Sequence, residues 1–206
     1  VAERVLQSSN VPVLLVYAHG GEGLGLRRPE VLRRILVPLD GSHIAEQVIP
    51  PTTAVAKALD AEVVLFRVSL VYTSGSLAGD WCLPLAGSFE TADQVAGVYL
   101  DRVADGLRAQ GIKVSSVVRR GAVADAIIDY AENNRIDMIA MCTHGRTGLG
   151  RWTLGNVADC VLRARCTPVL LVRAQPTDHK VAEVDEQNAL RVYQAEAGAA
   201  NVFGLQ

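Results

Sequence analysis

The sequence predicts an α/β domain built on a doubly wound, five-stranded parallel sheet, with one extra strand from the N-terminal segment. Three observations carry this. Short apolar runs rich in Val, Leu and Ile alternate with amphipathic helical segments, the pattern of a parallel sheet covered on both faces. Half of the 206 residues are hydrophobic but only 5% are aromatic, which suits a sheet under helices better than a β-sandwich. Finally, Val1–Val16 (VAERVLQSSNVPVLLV) returns 156 residues on as Val157–Val172 (VADCVLRARCTPVLLV), with nine of sixteen positions identical. A repeat of this kind is a unit of architecture. The chain is therefore expected to begin inside the last helix of a first repeat, truncated to residues 1–17. A linker follows over 18–30, then a complete repeat over 31–174 and a mobile polar tail over 175–206.

Each element of the complete repeat has its own signal. Ile35–Leu39 is a short apolar strand. Ser42 caps a helix expected to run to Leu59 with a bend at Pro50-Pro51. Glu62–Val68 is the second strand, and Ser69–Gly87 reads as a long Gly-containing loop or lid. Val95, Tyr99, Val103 and Leu107 recur on one helix face, and Gly111 ends that helix. Ile112–Arg119 alternates as a less buried edge strand does. Ala122–Asn134 is a helix with Ile127, Ile128 and Ala131 inward. Ile136–Cys142 is a buried strand, Asn156–Arg165 a helix and Pro168–Val172 the last strand. The segment Ala18–Glu30 holds Gly21, Gly23 and Gly25 but lacks the GxGxxG spacing, so it reads as a linker.

The bulk numbers exclude several classes. A formal net charge of −2 gives no electrostatic footprint for nucleic acid. No apolar run approaches the 18 residues of a membrane span, and the N-terminus has no signal-peptide pattern, so a cytoplasmic protein with no membrane partner is expected. The four cysteines, Cys82, Cys142, Cys160 and Cys166, fit no common zinc spacing and read as reduced thiols. No metal site is expected.

Right-handed crossovers make the loops after Leu39 and after Cys142 compete for the place where strand order reverses, and ligands of such sheets bind there. The second loop, THGRTGLGRWTLGNV, holds Gly145, Gly148, Gly150 and Gly155 and runs from a buried strand into a helix. Its glycines admit close backbone approach, and Gly155, Asn156 and Val157 open a helix whose unpaired amides favour an anion. Arg146 and Arg151 add positive charge. The loop is physically a phosphate cradle without a Walker A lysine; a tight connection that merely needs glycine is the plainer reading. In the first loop, Asp40 is placed either to accept from ribose hydroxyls or to cap the next helix. Pro38 and Val68 either flank a flat base or pack in the core. His144 reads as a loop-orienting or phosphate-contacting residue, with no nucleophile partner to make it a catalytic base. Cys142 reads as buried packing rather than a redox switch, and Trp152 as a packing anchor.

The ILVPLDGS start, the strand pattern and the THGRTGLGRWTLGNVA stretch leading to CTPVLLVR resemble universal stress proteins of the nucleotide-binding, UspA-like type. The resemblance covers Val31–Arg173, and Val1–Val16 is similar to the tail of another such domain. It implies a Rossmann-like fold of the adenine nucleotide alpha hydrolase kind, with ATP as ligand, with or without Mg2+. It also implies that Pro38, Leu39, Asp40 and Val68 hold adenine and ribose. Met141, Cys142, His144, Gly145, Gly155, Asn156 and Val157 would then hold ribose and phosphates, largely through backbone groups. The family's phosphate motif is Gly, two residues, Gly, nine residues, then Gly and Ser or Thr. Here Cys142 stands first and Asn156 last, so two of four positions depart.

Such an apolar last strand left bare invites aggregation, and family members pair it with its twin in a dimer. The expected partner of Val169–Val172 is therefore Val13–Val16 in the same chain, antiparallel, or the same strand of a second copy. Three functions follow. The first is a nucleotide-binding regulatory protein with at most very slow ATP hydrolysis. The second is a ligand-free dimerisation and interaction module. The third is an adenylyl-transferring enzyme, which needs a catalytic set that the sequence does not display.

Overall fold

A computed structural model describes residues 9, 11–17, 32–69, 87–143 and 154–173, the first five residues of the 87–143 stretch by backbone alone. The expected helix at the start of the chain, the 18–30 linker and most of the Ser69–Gly87 loop with Trp81 lie outside them. So do His144, Gly145 and Trp152 of the glycine-rich loop, and the tail from Gln175.

In chain order the elements are β1 (Val13–Leu15), β2 (Arg34–Pro38), α1 (His43–Glu46), α2 (Ile49–Leu59), β3 (Glu62–Ser69) and α3 (Gly87–Arg108). After them come β4 (Val114–Arg120), α4 (Val123–Asn133), β5 (Met138–Cys142), α5 (Asn156–Ala164) and β6 (Val169–Val172). They form one six-stranded sheet in the order β1-β6-β5-β2-β3-β4. The five strands from β6 to β4 are parallel, and β1 alone runs antiparallel, against β6. The doubly wound parallel sheet with an added N-terminal strand is thus the observed fold, and β4 is the edge strand that its alternation predicts.

Strand alternation divides the core into two layers. Ile35, Val37, Leu39, Val63, Leu65, Met138, Ala140 and Cys142 face one side, under α1, α2 and α3. Leu36, Val64, Phe66, Ile139 and Met141 face the other, under α4 and α5. The central positions Ile35, Leu36, Val64, Leu65 and Ile139 are wholly buried, as strands covered on both faces must be.

Two elements differ from their sequence patterns. The helix expected from Ser42 to Leu59 is broken, not bent, into α1 and α2. Pro50 and Pro51 cannot donate to the carbonyls one turn before them, so the first segment stops at Glu46 and the prolines occupy the first turn of a new helix. In α3 the deepest side chains are Ala96, Leu100, Ala104 and Leu107, with Tyr99 beside them, whereas Val95 and Val103 are only half-buried. Two alanines let the helix lie close on the sheet, and that turns the buried face by one residue. Gly111 takes φ of 80° just beyond this helix, and the Ile112 amide returns to the Leu107 carbonyl at 3.2 Å. Among the described residues no helix is long and apolar enough to cross a membrane.

Candidate functional site

Strand order reverses between β2 and β5, which are neighbours in the sheet. The chain leaves β2 toward β3 and β4 on one side, then returns to β5 and β6 on the other. The loops after Leu39 and after Cys142 therefore open at adjacent carboxyl ends, the place where a sheet of this kind holds ligands.

The first loop is a tight turn with defined contacts. The Leu39 amide donates to the Phe66 carbonyl at 2.8 Å and its side chain is buried, so Leu39 has only its carbonyl to offer a ligand. Gly41 follows at φ of 87°, a conformation that L side chains avoid. Asp40 Oδ1 accepts from the Ser42 amide at 2.9 Å and from the Ser42 hydroxyl at 2.6 Å. The Ser42 oxygen in turn accepts from the Ala45 amide at 3.2 Å, capping α1. Asp40 thus orders the turn through Ser42, and the cap itself is the serine.

The second loop starts from a fixed base. The Thr143 amide donates to the Val172 carbonyl at 2.9 Å, and the Gly155 amide to the Thr143 carbonyl at 2.8 Å. Gly155 is the N-cap of α5 with extended backbone and, having no side chain, leaves the first amides of the helix without a cap from that position. Asn156 is exposed and Val157 half-buried in that first turn. Sequence reasoning placed this helix start correctly but missed Thr143, whose two backbone bonds close the loop; its only signal is its place at the strand end.

The sheet's two faces sort the remaining candidates. Val68 and Met141 pack on the layer of α4 and α5, and strand alternation puts half-buried Pro38, paired with Phe66, on the same face. Cys142 points to the opposite face. Its Sγ donates to the Ala45 carbonyl at 3.6 Å. Burial pushes this thiol up to about 12, the Val48 amide opposing and the Asp40 carboxylate adding to the shift. Such a thiol stays protonated, as the packing reading of Cys142 requires.

Two charged clusters near these strand ends were not read from the sequence, because each joins residues distant along the chain. Arg67, buried on β3, lies 4.7 Å from the Tyr99 ring centroid and Arg102 lies 5.5 Å from it. Arg102 meets Glu46 at 3.4 Å, and His43 meets the same carboxylate at 3.5 Å. Burial, with Glu46 beside it, raises the Tyr99 phenol far above its usual range. At the ends of β3 and β4, Ser69 and Arg120 both donate to Asp93, Arg120 through Nε at 2.9 Å. Those bonds hold the Asp93 carboxyl below its ordinary value. Among the described residues no three His, Cys, Asp or Glu side chains gather to hold a metal ion.

Comparison with known proteins agrees with this architecture. The model of the universal stress protein family matches residues 32–173. The universal stress protein MJ0531 of Methanocaldococcus jannaschii is 31% identical over 145 residues, which cover 68% of this chain and 82% of the relative. Among solved structures, that of protein MJ0577 from the same organism superposes with a TM-score of 0.59 at 24% identity, over 71% of this chain and 99% of the other. A universal stress protein in complex with cAMP superposes with a TM-score of 0.52 at 20% identity, over 71% of this chain and 100% of the other.

Proposed function

The chain belongs to the universal stress protein family, and on that premise we propose that it binds an adenine nucleotide, ATP foremost, as a regulatory stress-response protein with little or no hydrolysis. The observation that carries the proposal is the pairing of two features at the switch point. The Asp40 turn and the first turn of α5, whose N-cap is Gly155, lie at adjacent strand ends. The first offers a carboxylate for ribose and the second offers amides and a helix dipole for phosphate. The related fold that carries cAMP supports the ligand class. Pro38 and Val68, on one face, are the apolar groups for the base, and Met141 beside them contributes on the ribose side. Leu39 contributes its carbonyl, and Cys142, His144, Gly145, Gly155, Asn156 and Val157 complete the ribose and phosphate contacts. Mg2+ would arrive on the phosphates. Hydrolysis needs a positioned base and dedicated metal carboxylates, and on this reading the Asp40 carboxylate goes to ribose instead.

Calorimetry and thermal melting with Mg-ATP test this. The expected dissociation constant is micromolar, about −8 kcal/mol, and it is lost in Gly145→Asp. No heat and no melting shift at millimolar ATP sinks the proposal.

A second reading is favoured by the β1–β6 register. Val13, Leu14 and Leu15 pair with Leu171, Leu170 and Val169. Leu14 therefore faces Leu170, its own counterpart in the repeat, and the ladder is centred on a pseudo-twofold axis, as an isologous contact between two copies would be. On this reading residues 1–17 close a preceding domain, 18–30 link it to the domain of 31–174, and β1 takes the place of a dimer partner. The protein would then serve as a pairing and partner-binding module, and the failure of ATP to bind would leave that role standing.

A further inference from the structure

In the family's phosphate motif, from which the chain departs at Cys142 and Asn156, the place of Cys142 belongs to a glycine, so a side chain there is expected to crowd the ligand. The structure puts that side chain elsewhere. On β5, Met138, Ala140 and Cys142 face the layer of α1, α2 and α3, and Ile139 and Met141 face the other. Cys142 thus points away from the face of Val68 and Met141. Its sulfur meets the Ala45 carbonyl, 97 residues away in sequence. That carbonyl also accepts from the Val48 amide at 3.3 Å, and the Ala45 amide donates to Ser42, which Asp40 holds. Strand β5 and the Asp40 turn are therefore joined through one short helix, and Cys142 is its contact with the strand.

We infer that Cys142 is a positioning residue, whose thiol ties the end of β5 to α1 and so fixes the Asp40 turn against the strand end at Cys142 and Thr143. This inference rests on the nucleotide reading for its consequence and on the packing alone for the tie. α1 is a single turn between a capped start and a proline break, so it has little stiffness of its own. A buttress from the strand beneath supplies what helix length does not. The departure from glycine then adds order to the cleft and does not obstruct it.

The test uses the full chain with Cys142→Ala, Cys142→Gly and Cys142→Ser. Without nucleotide, amide exchange at Ala45, Glu46, Gln47 and Val48 is expected to quicken in the Ala and Gly variants. It should recover in part in Ser, whose shorter hydroxyl reaches the same carbonyl once α1 settles a few tenths of an ångström toward the strand. Mg-ATP binding should weaken about three- to tenfold in Ala and Gly, the scale of one weak S–H···O contact with its packing, and return toward the parent in Ser. Unchanged exchange in the Ala variant overturns the tie whatever ATP does. Faster exchange with equal or tighter ATP binding in Gly overturns the positioning role and makes Cys142 an obstruction. Faster exchange in Ala, rescued in Ser, with no ATP binding even by the parent, upholds the tie and removes the nucleotide reading instead.

Discussion

Asp40 shows how one side chain can serve two readings at once. Its carboxylate takes two bonds from Ser42 on a single oxygen, and Ser42 passes the order on to α1. Asp40→Ala should therefore lower stability by about 1–2 kcal/mol in a melting experiment and also weaken ATP binding. A variant that loses one property and keeps the other would separate the two roles. Cys142 was legible as a buried residue from its apolar run, but its partner was not, because that contact exists only once β5 lies beside α1. Its thiol, pushed up by burial to about 12, stays protonated at pH 8. In alkylation followed by peptide mapping, exposed Cys160 should label far ahead of it. Asp93 gives a pH signature. Its folded carboxyl lies below the ordinary 3.8, held there first by the Arg120 bond and then by Ser69. The stabilisation is complete above the unfolded value and is lost as pH falls through the lower folded value. The stability gap between the parent and Asp93→Asn should hold steady above about pH 5 and close as the acid limb is entered.

At the level of elements, every strand of the parallel sheet is legible to within a residue or two: the inner strands because burial on both faces leaves no other choice of side chain, and β4 by the alternation of an edge strand. The helices were less legible. Pro50-Pro51 signalled a disturbance in the helix but not its form, since a bend and a break use the same residues. The face of α3 is legible in Tyr99, Val103 and Leu107, but Ala96 and Ala104 are not, because alanine carries little hydrophobic weight in a pattern. Helix ends are a further case. Arg165 is the C-cap of α5 at φ of 54°, a left-handed position where glycine is preferred. Arg165→Gly should raise stability by about 0.5–1 kcal/mol, measured as an upward shift of the urea midpoint. A fall would mean that the arginine side chain holds the turn by contacts stronger than the backbone strain.

For the molecule as a whole, the position of the candidate site followed from strand order, which the alternation of strands and helices encodes. The depth of the glycine-rich loop and the course of the chain before residue 32 are not encoded that way. β1 belongs to this scale, because it changes what the sheet presents outward. Leu14 is exposed even while paired, as are Val11 and Val16 on either side of it. Leu14→Pro should release the strand from β6 and leave an apolar edge bare. The expected outcome is a rise in mass over the parent in light scattering; a variant that stays in the parent's state would mean that β6 needs no cover.

The β1–β6 ladder also sets an order of events. Pairing Leu14 with Leu170 closes a ring of 156 residues, and such a contact repays its entropy only after the intervening chain has collapsed. β1 should therefore dock last and detach first, by a local opening that leaves the parallel sheet intact. Tyr17, whose hydroxyl donates to the Leu162 carbonyl at 2.9 Å, acts as the clasp on that closure. Whenever it is open, β6 is exposed to any neighbour in the same condition, and high protein concentration would favour strand exchange between copies over closure within one.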